Sequence, residues 1–233
     1  MKLLKRIVLF LAIIIFSLSA YKVASYFLSS MDNKKAYKNI SKEYKAAESI
    51  EETSNLDLLK EKNENIVAWL DVPSTNINYP VVKGSDNDFY LTHDMEDKKS
   101  IHGSIFMDYR NLAKDDRNLV IYGHYMKDGT MFKDLINYKE ETFFKDNPDI
   151  FVDLGGEKER YEIFSVVLTT GDSGYIDIDF SSEESFLDYI DNIKAKSLFT
   201  RDIDFKGGEK IVTLSTCSYE FHDARTVVFG VKR

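Results

Sequence analysis

The chain predicts a mainly β domain, a barrel or sandwich, behind a helical N-terminal region, and three observations carry that expectation. From Ile66 onward, short runs rich in β-branched and aromatic residues recur between turn-forming segments. Before Ile66 the apolar residues recur at helical spacing instead. A hydrophobic content of 43% with 13% aromatics is that of a globular chain, not a disordered one.

The elements come in order along the chain. Lys2, Lys5 and Arg6 precede an apolar stretch from Ile7 to Leu28 that only Lys22 interrupts. Such a run spans a hydrocarbon core of about 30 Å. The basic cluster before it places the N-terminus in the cytoplasm and the rest of the chain outside, a single-pass membrane protein with an extracellular domain. The competing reading is a cleaved signal peptide, with Ile7 to Phe16 as its apolar core and Ser17, Ser19 and Ala20 near the cleavage site. Apolar character resumes from Val23 to Leu28, which favours a retained anchor over residues 1–31. Both readings export the remainder of the chain.

Residues 32–65 are rich in lysine and glutamate, with Ala36, Ile40, Tyr44 and Ala47 on one helical stripe, and read as a helical linker packing one face on the domain. Residues 66–233 form that domain. Its β-rich runs are Ile66–Val72, Ile77–Val82, Ser104–Tyr109, Asn118–Tyr122, Ile150–Leu154, Tyr161–Thr169, Lys210–Thr216 and Thr226–Lys232. Leu154-Gly155-Gly156-Glu157 supplies a hairpin turn. Thr130 to Asp146 carries Met131, Leu135, Ile136, Phe143 and Phe144 in a mostly helical register. Ser181 to Lys196 is a clearer helix: Ser181 or Ser182 caps it, Glu183 and Glu184 suit its first turn, and Phe186, Leu187, Ile190 and Ile193 make its apolar stripe.

A formal net charge of −8 excludes a general nucleic-acid binder, because phosphates would be repelled. No cysteine and histidine cluster is spaced for zinc, so no metal and no cofactor is expected. The informative residue is Cys217, the chain's single cysteine, at the end of Lys210-Ile-Val-Thr-Leu-Ser-Thr-Cys217. In an exported chain a thiol without a disulfide partner points to reactivity, and a small buried hydrophobe is the alternative.

A nucleophilic thiol needs a base and donors for the oxyanion it creates. His124, just past the apolar run Asn118–Tyr122, would emerge at a barrel rim, as Cys217 does. His222, five residues past the cysteine, is its rival, while His93 and His102 lie in polar loops and read as surface residues. Strand alternation puts Thr213, Ser215 and Cys217 on one face. Arg225 opens the next run, and an antiparallel return would bring its guanidinium to a carbonyl near the thiol. A surface salt bridge with Asp223 or Glu220 is the plainer role for Arg225.

Thr213-Leu-Ser-Thr-Cys217 with Arg225 resembles the TLxTC…R signature of sortases, cysteine transpeptidases of the Gram-positive surface, and Tyr122-Gly-His124 resembles their histidine segment. Ile66–Val82, Asp86–Leu91, Gly103–Asn111 and His124–Phe132 are similar to class B members, in the family's order. The resemblance implies an eight-stranded barrel with a helix between its sixth and seventh strands. It implies that Cys217 attacks the threonyl carbonyl of a C-terminal sorting signal on a surface protein. An amine on a peptidoglycan precursor or cell-wall peptide then resolves the thioacyl enzyme. His124 is the implied acid and base, Arg225 the oxyanion and peptide holder, and Asn87, Leu91, Tyr175, Ile176 and Ser215 the implied peptide-binding residues. Some class B enzymes carry an aspartate two residues after the cysteine, where this chain has Tyr219, with Glu220 and Asp223 as possible substitutes. A secreted cysteine hydrolase, passing the acyl group to water, is the alternative function.

Overall fold

The computed structural model describes residues 2–47, 55–112, 116–156, 158–171 and 173–233. The chain divides into two compact units, Met1–Lys38 and Asn39–Arg233. Helix α1, Lys2–Ala47, supplies all of the first unit that is described and the start of the second. In the first unit the apolar side chains from Leu3 to Phe16 are exposed, and the helix is long and apolar enough to cross a membrane.

Among the described residues the second unit is built on nine strands: β1 (Ile66–Asp71), β2 (Asn78–Val82), β3 (Ile105–Met107), β4 (Asn118–Tyr122), β5 (Asp149–Asp153), β6 (Lys158–Thr170), β7 (Ser197–Thr200), β8 (Ile211–Cys217) and β9 (Ala224–Lys232). Eight of them, in the order β5-β1-β2-β3-β4-β8-β9-β6, close into a barrel where β5 pairs again with β6. These are the eight runs that the β pattern marks. Closure leaves no free edge in the ring, and Val81, Ile105, Val120, Leu214, Val228 and Phe229 on its strands are buried.

The β5–β6 hairpin is set by Asp153↔Lys158 pairing, with Gly155 at φ 84° in the turn; Glu157 of the expected turn lies outside the described residues. The N-terminal part of this unit is held from the side: the Tyr44 ring stacks on Trp69 at 4.1 Å and its hydroxyl donates to Asp153 at 2.7 Å. The short helix α2, Asn55–Lys60, buries Leu56 and Leu59.

Two expectations need correction, and one strand goes unmarked in the sequence. Thr130–Asp146 is not one helix but a 3-10 segment, Lys133–Lys139, followed by α3, Glu141–Asp146, because Glu140 takes an extended conformation between them. The helix between the sixth and seventh barrel strands is α4, Glu183–Lys196, capped reciprocally by Ser182 and Ser185; Tyr189, not Leu187, completes its buried face with Phe186, Ile190 and Ile193. Directly after α4 comes β7, a four-residue strand of alternating exposure added to β6 beyond the ring, too short and without the apolar–polar alternation that would mark it in the sequence.

Two barrel pairings place chemistry at one rim. Strands β4 and β8 run parallel, with Tyr122 opposite Ser215, so both strands leave the barrel at the same end. Strands β8 and β9 run antiparallel, and their last register pair is Cys217↔Arg225. Residues in such a pair lie about 5 Å apart between Cα atoms.

Candidate active site

Cys217 is half-buried and lines a cleft of about 280 Å³ together with Asn87, Leu91, Tyr122, Tyr175, Ile176, Ser215 and Arg225 among others. The floor is strand-borne. Ser215 and Thr216 precede the thiol on β8, and the Ser215 hydroxyl meets the Tyr175 hydroxyl at 2.9 Å. Burial pushes the Tyr175 phenol upward in pKa, with the Ser215 hydrogen bond and the Arg225 charge opposing, so this hydroxyl stays protonated at neutral pH.

Arg225 is held through Asp223. Its Nη2 lies 2.8 Å from Asp223 Oδ1, while Asp223 Oδ2 accepts from the Gly171 amide at 3.1 Å. The carboxylate thereby ties the guanidinium to the end of β6. Asp223 sits at φ 58°, in the left-handed region, as the chain turns into β9. Arg225 lines the cleft and stays partly exposed, and its planar fork carries five donors.

His124 follows β4 by two residues, as Cys217 follows Ser215 by two, and the Gly123 amide donates to the Ser215 carbonyl at 3.2 Å. The imidazole Nε2 lies 2.7 Å from the Leu91 carbonyl oxygen. A carbonyl only accepts, so Nε2 carries the hydrogen and Nδ1 is the basic nitrogen of the neutral ring. Gly103 makes this approach possible. Its φ is +57°, and a Cβ there would stand 2.6 Å from the Tyr90 oxygen, 2.9 Å from the Leu91 oxygen and 3.1 Å from His124 Cδ2.

None of the histidines, His124 included, is among the residues lining the cleft; His124 reaches it through the Leu91 carbonyl. His222 is exposed in the turn between β8 and β9, and His93 stacks on Phe89 at 4.0 Å. His102 corrects the expectation of a surface residue: it is fully buried, with Nε2 3.0 Å from Asp128 Oδ2. The acids near the thiol also have other partners. Burial pulls the Glu220 carboxyl upward, but its hydrogen bonds, with Lys139 foremost, outweigh that and bring it down to about 2, while Asp223 binds Arg225. Tyr219, where an aspartate stands in some class B enzymes, packs edge-on against Tyr125 at 5.0 Å.

Asn87 and Leu91 line the cleft from the segment between β2 and β3, and Tyr175 and Ile176 from the segment between β6 and α4. The sequence reading missed the network beneath them. Asp108 is fully buried and collects Arg110, Tyr122 and Asn87. The signal lay in Asp108-Tyr-Arg110, a charged pair directly after an apolar strand, where strand-end charges are ordinarily solvated.

A closed barrel that sets a thiol, an imidazole and a guanidinium at one rim defines a cysteine acyl-transfer enzyme in architecture, and comparison with known proteins agrees. The Sortase domain model matches residues 70–233. Sortase B of Listeria monocytogenes is 39% identical over 175 residues, covering 74% of this chain and 71% of that protein. Sortase B of Staphylococcus aureus is 31% identical over 221 residues, covering 93% and 91%. Among solved structures, Clostridium perfringens sortase B superposes with a TM-score of 0.74 at 41% identity, covering 76% of this chain and 98% of that one. A Staphylococcus aureus sortase B–substrate complex gives 0.82 at 30% identity, covering 88% and 98%. The chain belongs to the sortase family, within its class B. It is a cysteine transpeptidase of cell-wall anchoring.

Proposed function

We propose that Cys217 is the nucleophile, His124 the proton carrier and Arg225 the oxyanion and peptide-carbonyl donor of this transpeptidase. The observation that carries the assignment is the Cys217↔Arg225 register pair, with His124 leaving parallel β4 at the same rim. His124 takes the proton of the Cys217 thiol, the thiolate attacks the scissile carbonyl of a C-terminal sorting signal, and the carbonyl oxygen gains charge where the guanidinium waits. Collapse expels the tail as an amine, protonated by His124. An amine from peptidoglycan then attacks the thioester, His124 takes its proton, and the thiolate leaves. Tyr175 and Ser215 line the floor for the peptide, Asn87, Leu91 and Ile176 the walls. The N-terminal helix is the single-pass anchor that holds residues 66–233, as catalytic domain, outside the membrane.

The test is incubation with a library of sorting-motif peptides, with and without an amine nucleophile, scored by mass spectrometry. The expected result is ligated product in preference to free acid, and none of either from Cys217→Ala. Turnover by the alanine variant, or acid alone in the presence of amine, overturns the assignment.

A further inference from the structure

Three lining residues of the cleft converge on one ion pair, the buried Asp108 with the exposed Arg110, that does not itself line it. Asp108 Oδ2 accepts from Asn87 Nδ2 at 3.1 Å, from the Tyr122 hydroxyl at 2.9 Å and from Arg110 Nη2 at 2.9 Å. Its Oδ1 accepts from the Arg110 amide at 3.0 Å and Nε at 2.8 Å. Arg110 Nη2 reaches onward to the Ile176 carbonyl at 3.0 Å. Asn87 in turn accepts from the Tyr109 amide at 3.0 Å. The Asn87 wall, the Tyr122 floor and the Ile176 wall thus come from three separate elements and share one ion pair.

The electrostatics agree with a fixed device. Burial raises the Asp108 carboxyl, but its donors outweigh that and hold it below its ordinary value. The Tyr122 phenol moves upward, through burial first and the Asp108 charge second. A carboxylate that accepts from Asn87, Tyr122 and a bidentate guanidinium is a rigid junction. Lysine, with one ammonium, has no planar fork with which to grip both Asp108 oxygens and the Ile176 carbonyl.

We infer that Asp108 and Arg110 are a positioning pair that sets the spacing between the two walls of the peptide cleft, and thereby which sorting-motif side chains fit between Asn87 and Ile176. This rests on the assignment of the cleft to the sorting peptide. The pair acts through Asn87, Tyr122 and Ile176, and its hydrogen bonds involve neither Cys217, His124 nor Arg225. It therefore governs peptide binding and motif choice, not the chemical step.

The experiment compares the full chain in detergent with Arg110→Lys and Asp108→Asn, each given a panel of sorting peptides that differ at single motif positions, with an amine acceptor. For Arg110→Lys the peptide KM rises about tenfold with kcat within about twofold, the loss of a charge-assisted hydrogen bond to a substrate wall. The ranking of motif variants changes as well, and the rate at which iodoacetamide alkylates Cys217 does not. Asp108→Asn moves the same parameters the same way. An unchanged KM and ranking in folded variants, or a fall in kcat alone, overturns the inference. Failure of the unsubstituted chain to process any peptide is a separate result that strikes the functional reading itself.

Discussion

The floor and the walls of the cleft are built by different means. The floor rests on strand register: once β8 and β9 pair, Cys217 and Arg225 face each other, and once β4 lies parallel to β8, His124 leaves at the same rim. The walls come from irregular segments, whose spacing no ladder dictates, and they meet on the Asp108–Arg110 pair, of which only the carboxylate is buried. Backbone pairing locates the groups proposed to react, while side-chain hydrogen bonds locate those proposed to select. The comparison can be broken at either end.

The largest effect falls on the floor. His124→Ala lowers kcat/KM by about 10²–10⁴-fold, the loss of a general acid and base, while His222→Ala leaves it nearly unchanged. Kinetics on a cleavable sorting peptide check both, and a reversed order would move the proton carrier to the β8–β9 turn.

A smaller effect arises where floor and wall touch. Gly103→Ala forces a Cβ against the Tyr90 and Leu91 carbonyls at positive φ. It costs about 1–3 kcal/mol of stability, and it displaces the Leu91 oxygen that orients His124, so kcat falls as well. Thermal unfolding beside kinetics tests this. Full activity would show that the Leu91 contact does not orient the ring.

The smallest effect is on acid stability, and it concerns the walls. Asp108 has a folded pKa below its ordinary 3.8, so its contribution is complete above that value and disappears as pH falls through the lower, folded one. The Tm gap between the unsubstituted chain and Asp108→Asn is therefore flat from neutral pH to about 4 and narrows below it. A gap that widens in acid would contradict the sign.

The same division explains what the sequence made legible. Eight β runs and the Cys217 signature could be read because alternation and turn residues mark strands, and because the groups proposed to react sit at strand ends. The break at Glu140 and the four residues of β7 escaped because apolar spacing continues through the first and is nearly absent in the second. His102 and Asp108 escaped for a different reason. Each lies in a stretch whose polar neighbours suggest solvent, and only the fold buries them against Asp128 and Arg110.

The central claim, that a register pair of thiol and guanidinium carries the chemistry, meets its most direct test in Arg225→Lys. Lysine keeps the charge and loses the planar fork. The measurement is kcat/KM on a cleavable sorting peptide with an amine acceptor, alongside the Tm of the same preparation. A fall of about 10²-fold or more at near-normal Tm is the predicted result, in the range expected for removing an oxyanion donor. Near-normal kcat/KM in the lysine enzyme would contradict the account.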